Sequence, residues 1–315
     1  MAAASNLYNT PDLIEYHLLT TPHHQNPISD QARELRALAA RRRGDLSQVA
    51  DKLLQTCRSV VVVSGKGGVG KSVITLNLAV ALARQNAAVG MLDISQGTGS
   101  LGLLGNQNGY WNLEHVSAGS RSLHEVVLDG PGGTRIIPGG RHLLKTAEFR
   151  TAAWRELVEF EQRQAWLIAD LGVDVSGARS VAAAVDHAVL VTTPEPTSVA
   201  ETYATMKSLA VAGVSQVSVL INQADSKEQA AQIMDRLRHA ARTFLSSDIS
   251  LAGIIPFDSV VVQSVFRRVP WVEIDPGCPA QQAIEQVAQR LGRTVAGQSD
   301  GFFERLSRVS VGHAA

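Results

Sequence analysis

From residue 58 onward, short runs of β-branched and aliphatic residues alternate with longer segments in which apolar positions recur at helical spacing. The runs predicted as strands are residues 59–63, 89–92, 166–169, 188–191, 217–221 and 251–255. Continuous apolar strands separated by helices are typical of a parallel sheet with helices on both faces. The pattern therefore predicts an α/β fold with a doubly wound, mostly parallel sheet. Ligands of such folds bind at the carboxyl ends of the strands.

The segments that flank this region have a different character. Residues 1–28 combine prolines with polar residues and are predicted as a disordered leader, whereas residues 29–43 have one apolar face and end in three arginines, which predicts a helix. A second short helix is expected at residues 46–54. We therefore divide the chain into the leader, an N-terminal helical segment at 29–56, a main domain at 57–296 and a tail at 297–315. Within the main domain, residues 105–140 are rich in Gly, Asn and Ser and are predicted as loop with a short strand at 134–137.

Composition narrows the class of protein. The 315 residues are 45% hydrophobic, and 29 basic side chains balance 29 acidic ones, so the basic footprint of most nucleic-acid-binding proteins is absent. Cys57 and Cys278 are too far apart in sequence for a metal motif, and two cysteines make no disulfide framework. The N-terminus does not read as a signal peptide, and no run approaches the roughly 20 apolar residues of a membrane span. We expect a cytoplasmic protein, and the balanced charge disfavours nucleic acid as its partner.

The strongest motif lies between the first predicted strand and the helix that follows it. Residues 65–72 fit the phosphate-loop pattern G-x-x-x-x-G-K-[ST], in which glycines let backbone N–H groups close around phosphate oxygens at a helix N-terminus. Lys71 is expected to reach the β- and γ-phosphates, and Ser72 to offer its hydroxyl to Mg²⁺. We predict ATP/ADP and Mg²⁺ as ligands. The nucleotide-binding residues of this loop are Gly65, Lys66, Gly67, Gly68, Val69, Gly70, Lys71, Ser72 and Val73.

The second lysine of the loop points to one group of nucleotide-binding proteins. The general phosphate-loop pattern does not require Lys66, and KGGVGKS resembles the deviant Walker A motif of the MinD/ParA ATPases. The resemblance implies an ATP-dependent homodimer in which Lys66 reaches across to the partner's phosphates. Lys66 and Lys71 are therefore candidate catalytic residues.

Further segments carry the same resemblance from about residue 59 to residue 292. VTTPEPTS at 191–198 resembles the segment that follows the Walker B strand in MinD and its flagellar relatives. Asn222, at a predicted strand end, is placed like the asparagine that reads adenine, and an amide can both donate to and accept from the base. IPFD at 255–258, which contains Pro256, resembles the segment that lines the same pocket.

Two carboxylates are expected at the Mg²⁺ side of the site. Asp170 follows an apolar strand and can hold the metal through water, as a Walker B aspartate does. Asp93 ends the strand at 89–92, where the family reads D-x-D-x-G, and it is a candidate metal ligand and catalytic residue. Ser95 stands where the family has the second aspartate, which positions the attacking water. A serine hydroxyl is a poor base at pH 7, so nucleotide binding can survive while turnover falls.

A short N-terminal motif distinguishes among the members of this class. DQARELR at residues 30–36 is similar to the DQAxxLR motif of the FlhG family, also called FleN or YlxH. The resemblance implies a helix that docks on an FlhF-like GTPase and stimulates its GTP hydrolysis. The matching partner-binding residues are Asp30, Gln31, Leu35 and Arg36. A surface helix that packs on its own domain is the alternative.

The tail contains a short amphipathic segment that resembles the membrane-targeting helix of MinD and FlhG. Its apolar face consists of Phe302, Phe303, Leu306 and Val309. Two arginines on this segment are cancelled by two acidic residues, so electrostatic attraction to lipid should be small. We expect a weak peripheral contact with the cell membrane, packing of this face onto the protein's own domain, or a disordered tail.

Three functions remain open from the sequence. The first is a FlhG-like ATPase that sets flagellar number or placement. The second is a scaffold that ATP binding switches without useful hydrolysis, which Ser95 favours. The third is a MinD/ParA-type positioning or partitioning ATPase, although DNA binding by such a protein is disfavoured by the neutral net charge.

Overall fold

A computed structural model describes residues 56–94, 99–139, 149–172 and 179–312. Its centre is one eight-stranded sheet with the order β3-β4-β2-β5-β1-β6-β7-β8. The strands are β1 Arg58–Val63, β2 Val89–Ile94, β3 Leu128–Asp129, β4 Arg135–Pro138, β5 Trp166–Leu171, β6 His187–Thr192, β7 Val217–Ala224 and β8 Ser250–Pro256. β3 pairs antiparallel with β4, and the other neighbouring strands are parallel. The prediction of a doubly wound, mostly parallel sheet is confirmed.

Helices cover both faces of this sheet. They are α1 Lys71–Ala83, α2 Ser100–Leu104, α3 Leu113–Ser117, α4 Leu123–Val126, α5 Thr151–Gln162, α6 Arg179–Ala184, α7 Pro196–Val211, α8 Lys227–Leu245, α9 Ser259–Arg267, α10 Trp271–Ile274, α11 Pro279–Thr294 and α12 Phe302–Gly312. Alternate residues of β1 belong to different apolar clusters. Val61 and Val63 pack on the face covered by α5–α8 and α12. Val60 and Val62 pack on the face covered by α1 and α11. Burial on both faces explains why the strands read as continuous apolar runs.

The region predicted as loop between 105 and 140 contains more structure than expected. The short strand is confirmed as β4, but α3, α4, a 3₁₀ turn at Pro131–Gly133 and strand β3 are also present. Asn112 caps α3 by accepting a hydrogen bond from the backbone N–H of Glu114, and Ser122 with Glu125 forms a capping box on α4. Asn112 and Ser122, two of the residues that suggested loop, therefore act as helix caps, which is a common use of these residue types.

The amphipathic tail segment forms α12, and its apolar face is turned inward. Phe302, Phe303 and Leu306 are 1%, 0% and 0% exposed, and α12 packs against α5 and α6. The carboxylate of Glu161 on α5 accepts hydrogen bonds from the backbone N–H groups of Phe302 and Phe303 at 2.5 and 3.1 Å. Of the arrangements expected for this face, the structure has the packing onto the protein's own domain and not the contact with a membrane, because these side chains cover an apolar surface of the domain. Val309 is partly exposed.

A buried ion pair ties α12 to the sheet. Arg305 donates from Nε to the carbonyl of Ala184 at 2.7 Å, and its Nη2 lies 3.0 Å from Asp186 Oδ1. The second carboxylate oxygen of Asp186 accepts from the N–H and the hydroxyl of Ser59 on β1 at 2.7 and 2.8 Å. α12 is thus joined to β1 and to the start of β6. Among the described residues, no helix is both long enough and apolar enough to span a bilayer.

Candidate nucleotide site

The loop between β1 and α1 forms an open cradle at the carboxyl end of the sheet. Gly68 and Gly70 have φ values of +79° and +87°, a region in which side chains other than glycine are strained. A Cβ atom at Gly67 or Gly68 would meet no heavy atom within 4 Å, so this side of the loop faces open space. A concave backbone at the start of a 13-residue helix suits a phosphate group.

The other side of the loop is tightly packed. A Cβ atom at Gly65 would lie 2.3 Å from the carbonyl oxygen of Glu201 on α7, and one at Gly70 would lie 2.6 Å from Asn222 Nδ2. The same amide of Asn222 donates to the carbonyl of Val69 at 2.9 Å. Asn222, predicted to read adenine, therefore also fixes the shape of the loop. Pro256 ends the neighbouring strand β8.

Lys71 and Asp170 form a buried ion pair below the cradle. Lys71 Nζ lies 2.6 Å from Asp170 Oδ1, and their side chains are 10% and 0% exposed. Burial raises the pKa of Asp170 above its ordinary value; the Lys71 ammonium opposes the shift and the Asp93 carboxylate adds to it. Thr75 Oγ1 lies 3.4 Å from the same carboxylate oxygen. Thr75 was not predicted, although its position four residues after Lys71 places it on the same helix face.

The predicted metal residues meet beside this ion pair. Asp93 and Asp170 are register partners on β2 and β5. Ser100 Oγ lies 3.0 Å from Ser72 Oγ and 3.3 Å from Asp170 Oδ2. Ser100 was missed from sequence because no motif position marks it. Mg²⁺ is commonly held by few protein groups together with waters and phosphate oxygens, and these hydroxyls and carboxylates are oxygen ligands of the kind it takes.

Lys66 is held within its own chain. Its ammonium donates to the carboxylate of Glu195 and to Thr197 Oγ1, the latter at 3.0 Å. Both partners belong to the predicted 191–198 segment, which turns into α7: Ser198 Oγ accepts from the N–H of Thr193 at 3.0 Å. The sequence placed this segment in the site but did not connect it to Lys66.

Several predicted residues lie outside the described part of the structure. Ser95 belongs to the segment 95–98, and the partner-binding residues Asp30, Gln31, Leu35 and Arg36 belong to residues 1–55. The roles assigned to them stay predictions. Val73 follows Ser72 on α1 and packs partly buried against the apolar cluster on that side of the sheet.

Comparisons with known proteins agree with this geometry. The family model for the CobQ/CobB/MinD/ParA nucleotide binding domain matches residues 60–271. Antiactivator FleN of Pseudomonas aeruginosa is 30% identical over 258 residues, which cover 78% of this chain and 92% of that protein. Flagellum site-determining protein YlxH of Helicobacter pylori is 26% identical over 239 residues, covering 73% and 80%.

A solved structure shares the fold. The septum site-determining protein MinD from Pyrococcus horikoshii, complexed with Mg-ADP, superposes with a TM-score of 0.59 at 24% identity, over 75% of this chain and 96% of that one. At this identity the likeness concerns the fold alone.

Proposed function

Because the chain belongs to the CobQ/CobB/MinD/ParA nucleotide-binding family, we propose that it is a FlhG-like, ATP-binding protein that regulates the number or placement of flagella. The observation that carries the nucleotide part is the open glycine cradle above the Lys71–Asp170 pair. The similarity to YlxH, a flagellum site-determining protein, supports the flagellar part. The Mg-ADP complex of the MinD neighbour supports the choice of ligands.

The ion pair suggests how nucleotide and metal binding are coupled. In this structure the Lys71 ammonium compensates the fully buried charge of Asp170. If Lys71 turns to the phosphates, Asp170 is left without its cation, which is unfavourable for a buried carboxylate. Mg²⁺ would be held by Ser72, Asp93 and Asp170, and would neutralise charge on the phosphates and on these carboxylates. Nucleotide without Mg²⁺ should therefore bind more weakly.

We further propose that two copies pair in the presence of ATP through Lys66. The contact of Lys66 with Glu195 is partly exposed, with side chains 33% and 62% accessible. Exposed ion pairs contribute only about 0–1 kcal/mol, so Lys66 can exchange Glu195 for the phosphates of a second copy at little cost. The predicted lipid contact through α12 is not part of this proposal, since the face concerned is buried.

The position of Ser95 decides between two forms of this function. A water-positioning aspartate is missing there, so the proposal includes slow hydrolysis, and a scaffold that responds to ATP binding alone is the second candidate. The test is ATP turnover of pure protein compared with the Ser95→Asp variant. Turnover raised by the variant supports the proposal, whereas fast wild-type turnover that Lys71→Ala abolishes contradicts it.

The flagellar assignment is tested through the partner. We propose that Gln31 contacts an FlhF-like GTPase, and purified GTPase should be retained by the wild type and released by Gln31→Ala. Gln48→Ala is the matched control, because it removes an equivalent side chain outside the DQAxxLR motif. Retention by neither the wild type nor the control would remove the flagellar assignment and leave the nucleotide site untouched.

A further inference from the structure

We propose that the hydroxyl of Ser100 belongs to the Mg²⁺ site, where it holds a metal-bound water between Ser72 and Asp170. The inference rests on the proposed binding of Mg-nucleotide at the loop. Ser100 belongs neither to the phosphate-loop motif nor to the pair of strand-end aspartates, so none of the patterns that defined the site assigns it a role.

The position of Ser100 is unusual for a partly exposed serine at the start of a helix. Its Oγ is within hydrogen-bond distance of two groups predicted to hold the metal, 3.0 Å from Ser72 Oγ and 3.3 Å from Asp170 Oδ2. Those two residues come from α1 and β5, so Ser100 on α2 brings a third element to the same point. A serine whose role was only to cap its own helix would not need to lie close to both Ser72 Oγ and Asp170 Oδ2.

The turn that carries Ser100 is fixed by Asp93. The Oδ2 atom of Asp93 accepts a hydrogen bond from the N–H of Leu101 at 2.8 Å. Gly99 has φ +86°, and a Cβ atom there would lie 3.1 Å from the same oxygen. A side chain at this position is therefore disfavoured both by the backbone conformation and by the short contact with the carboxylate. The start of α2 is therefore placed directly against the carboxylate, which sets where the hydroxyl of Ser100 lies.

The chemistry of a hydroxyl suits a water in the metal shell. Mg²⁺ keeps several of its waters when a protein binds it, and these waters donate hydrogen bonds to nearby acceptors. A serine hydroxyl has one donor and two acceptor positions, so Ser100 can donate to Asp170 and still accept from a metal-bound water. Groups that orient metal ligands in this way commonly change metal affinity when they are removed.

The experiment measures Mn²⁺, as a spectroscopic substitute for Mg²⁺, in the complex with ADP. Free Mn²⁺ is followed by electron paramagnetic resonance for the wild type, Ser100→Ala, Ser100→Thr and the control Ser208→Ala, whose hydroxyl donates to the carbonyl of Ala204 in its own helix. Ser100→Ala should bind Mn²⁺ about three- to tenfold more weakly, as expected for one lost hydrogen bond. ADP binding in EDTA should equal that of the wild type. Ser100→Thr keeps the hydroxyl and should bind Mn²⁺ more tightly than Ser100→Ala.

The outcomes separate this inference from the proposed function. Wild-type Mn²⁺ affinity in Ser100→Ala, or equal weakening in the Ala and Thr variants, would overturn the role of the hydroxyl while ADP and Mn²⁺ still bind. If the wild type itself takes up no Mn²⁺ with ADP, both the inference and the proposed Mg-nucleotide site are wrong.

Discussion

Truncation of Leu306 tests whether α12 is an integral part of the domain. The side chain is fully buried, and neighbouring Phe303 stacks edge to face on Trp154 of α5, with ring centroids 5.9 Å apart. Leu306→Ala removes three carbon atoms from the apolar cluster to which Leu306 belongs. The lost transfer free energy is about 2.4 kcal/mol at about 0.8 kcal/mol per buried CH₂. The cavity left behind brings the expected loss to about 2–5 kcal/mol of the free energy of unfolding.

The assay is urea unfolding followed by circular dichroism and tryptophan fluorescence, with Ser307→Ala as control. Ser307 neighbours Leu306 on α12, and its hydroxyl donates to the carbonyl of Glu304 in the same helix, so its truncation should change the free energy by less than about 0.5 kcal/mol. Amide hydrogen exchange should also show protection of α12. A Leu306→Ala loss no larger than that of the control, together with unprotected amides, would refute the docking of α12 and return its apolar face to solvent or lipid.

Three further predictions concern other parts of the chain. Burial lowers the pKa of His187 from 6.5 to about 4. Between these two pH values only the unfolded chain takes up the proton, so the free energy of unfolding should fall by roughly 3 kcal/mol from pH 6.5 to 4. Urea titrations of His187→Gln should show a smaller fall over the same range. An equal fall in the wild type and the variant would contradict this. Gly70→Ala should lower the free energy of unfolding by about 1–3 kcal/mol in the same titration. Gly67→Ala should lower it less, because a Cβ atom at Gly67 faces open space. Equal losses in the two variants would contradict the packing of the loop. Lys66→Ala should bind ATP but remain monomeric with Mg-ATP in light scattering, and dimerisation of this variant would contradict the role given to Lys66.

Much of the fold could be predicted because the strands are buried on both faces. β5 was predicted at residues 166–169 and extends to Leu171, and β8 was predicted at 251–255 and spans Ser250–Pro256. The carboxyl ends of parallel strands meet at one edge of a sheet, which is why side chains at strand ends were expected to lie near one another. Asp93 and Asp170 are register partners on β2 and β5, and Asn222 on β7 contacts the phosphate loop at Val69.

The contacts that could not be predicted from the sequence join residues far apart in the chain. An amphipathic pattern shows that α12 must cover an apolar surface but does not show which one, and the capping carboxylate of Glu161 is 141 residues from Phe302. The ion pair of Lys66 with Glu195 likewise depends on how the turn before α7 meets the phosphate loop. Ser100 could be recognised as part of the site only once the position of α2 was known, and that position is set by a hydrogen bond to Asp93.

The most direct test of the central claim is calorimetric titration of ATP into the wild type and Lys71→Ala, each with Mg²⁺ and with EDTA. The account predicts one nucleotide per chain, tighter binding with Mg²⁺, and at least about tenfold weaker binding by Lys71→Ala, since a hydrogen bond from a charged group contributes about 1.5–3 kcal/mol. Absence of binding by the wild type, or equal affinity of Lys71→Ala with Mg²⁺ present, would contradict the assignment of the loop at residues 65–72 as the nucleotide site.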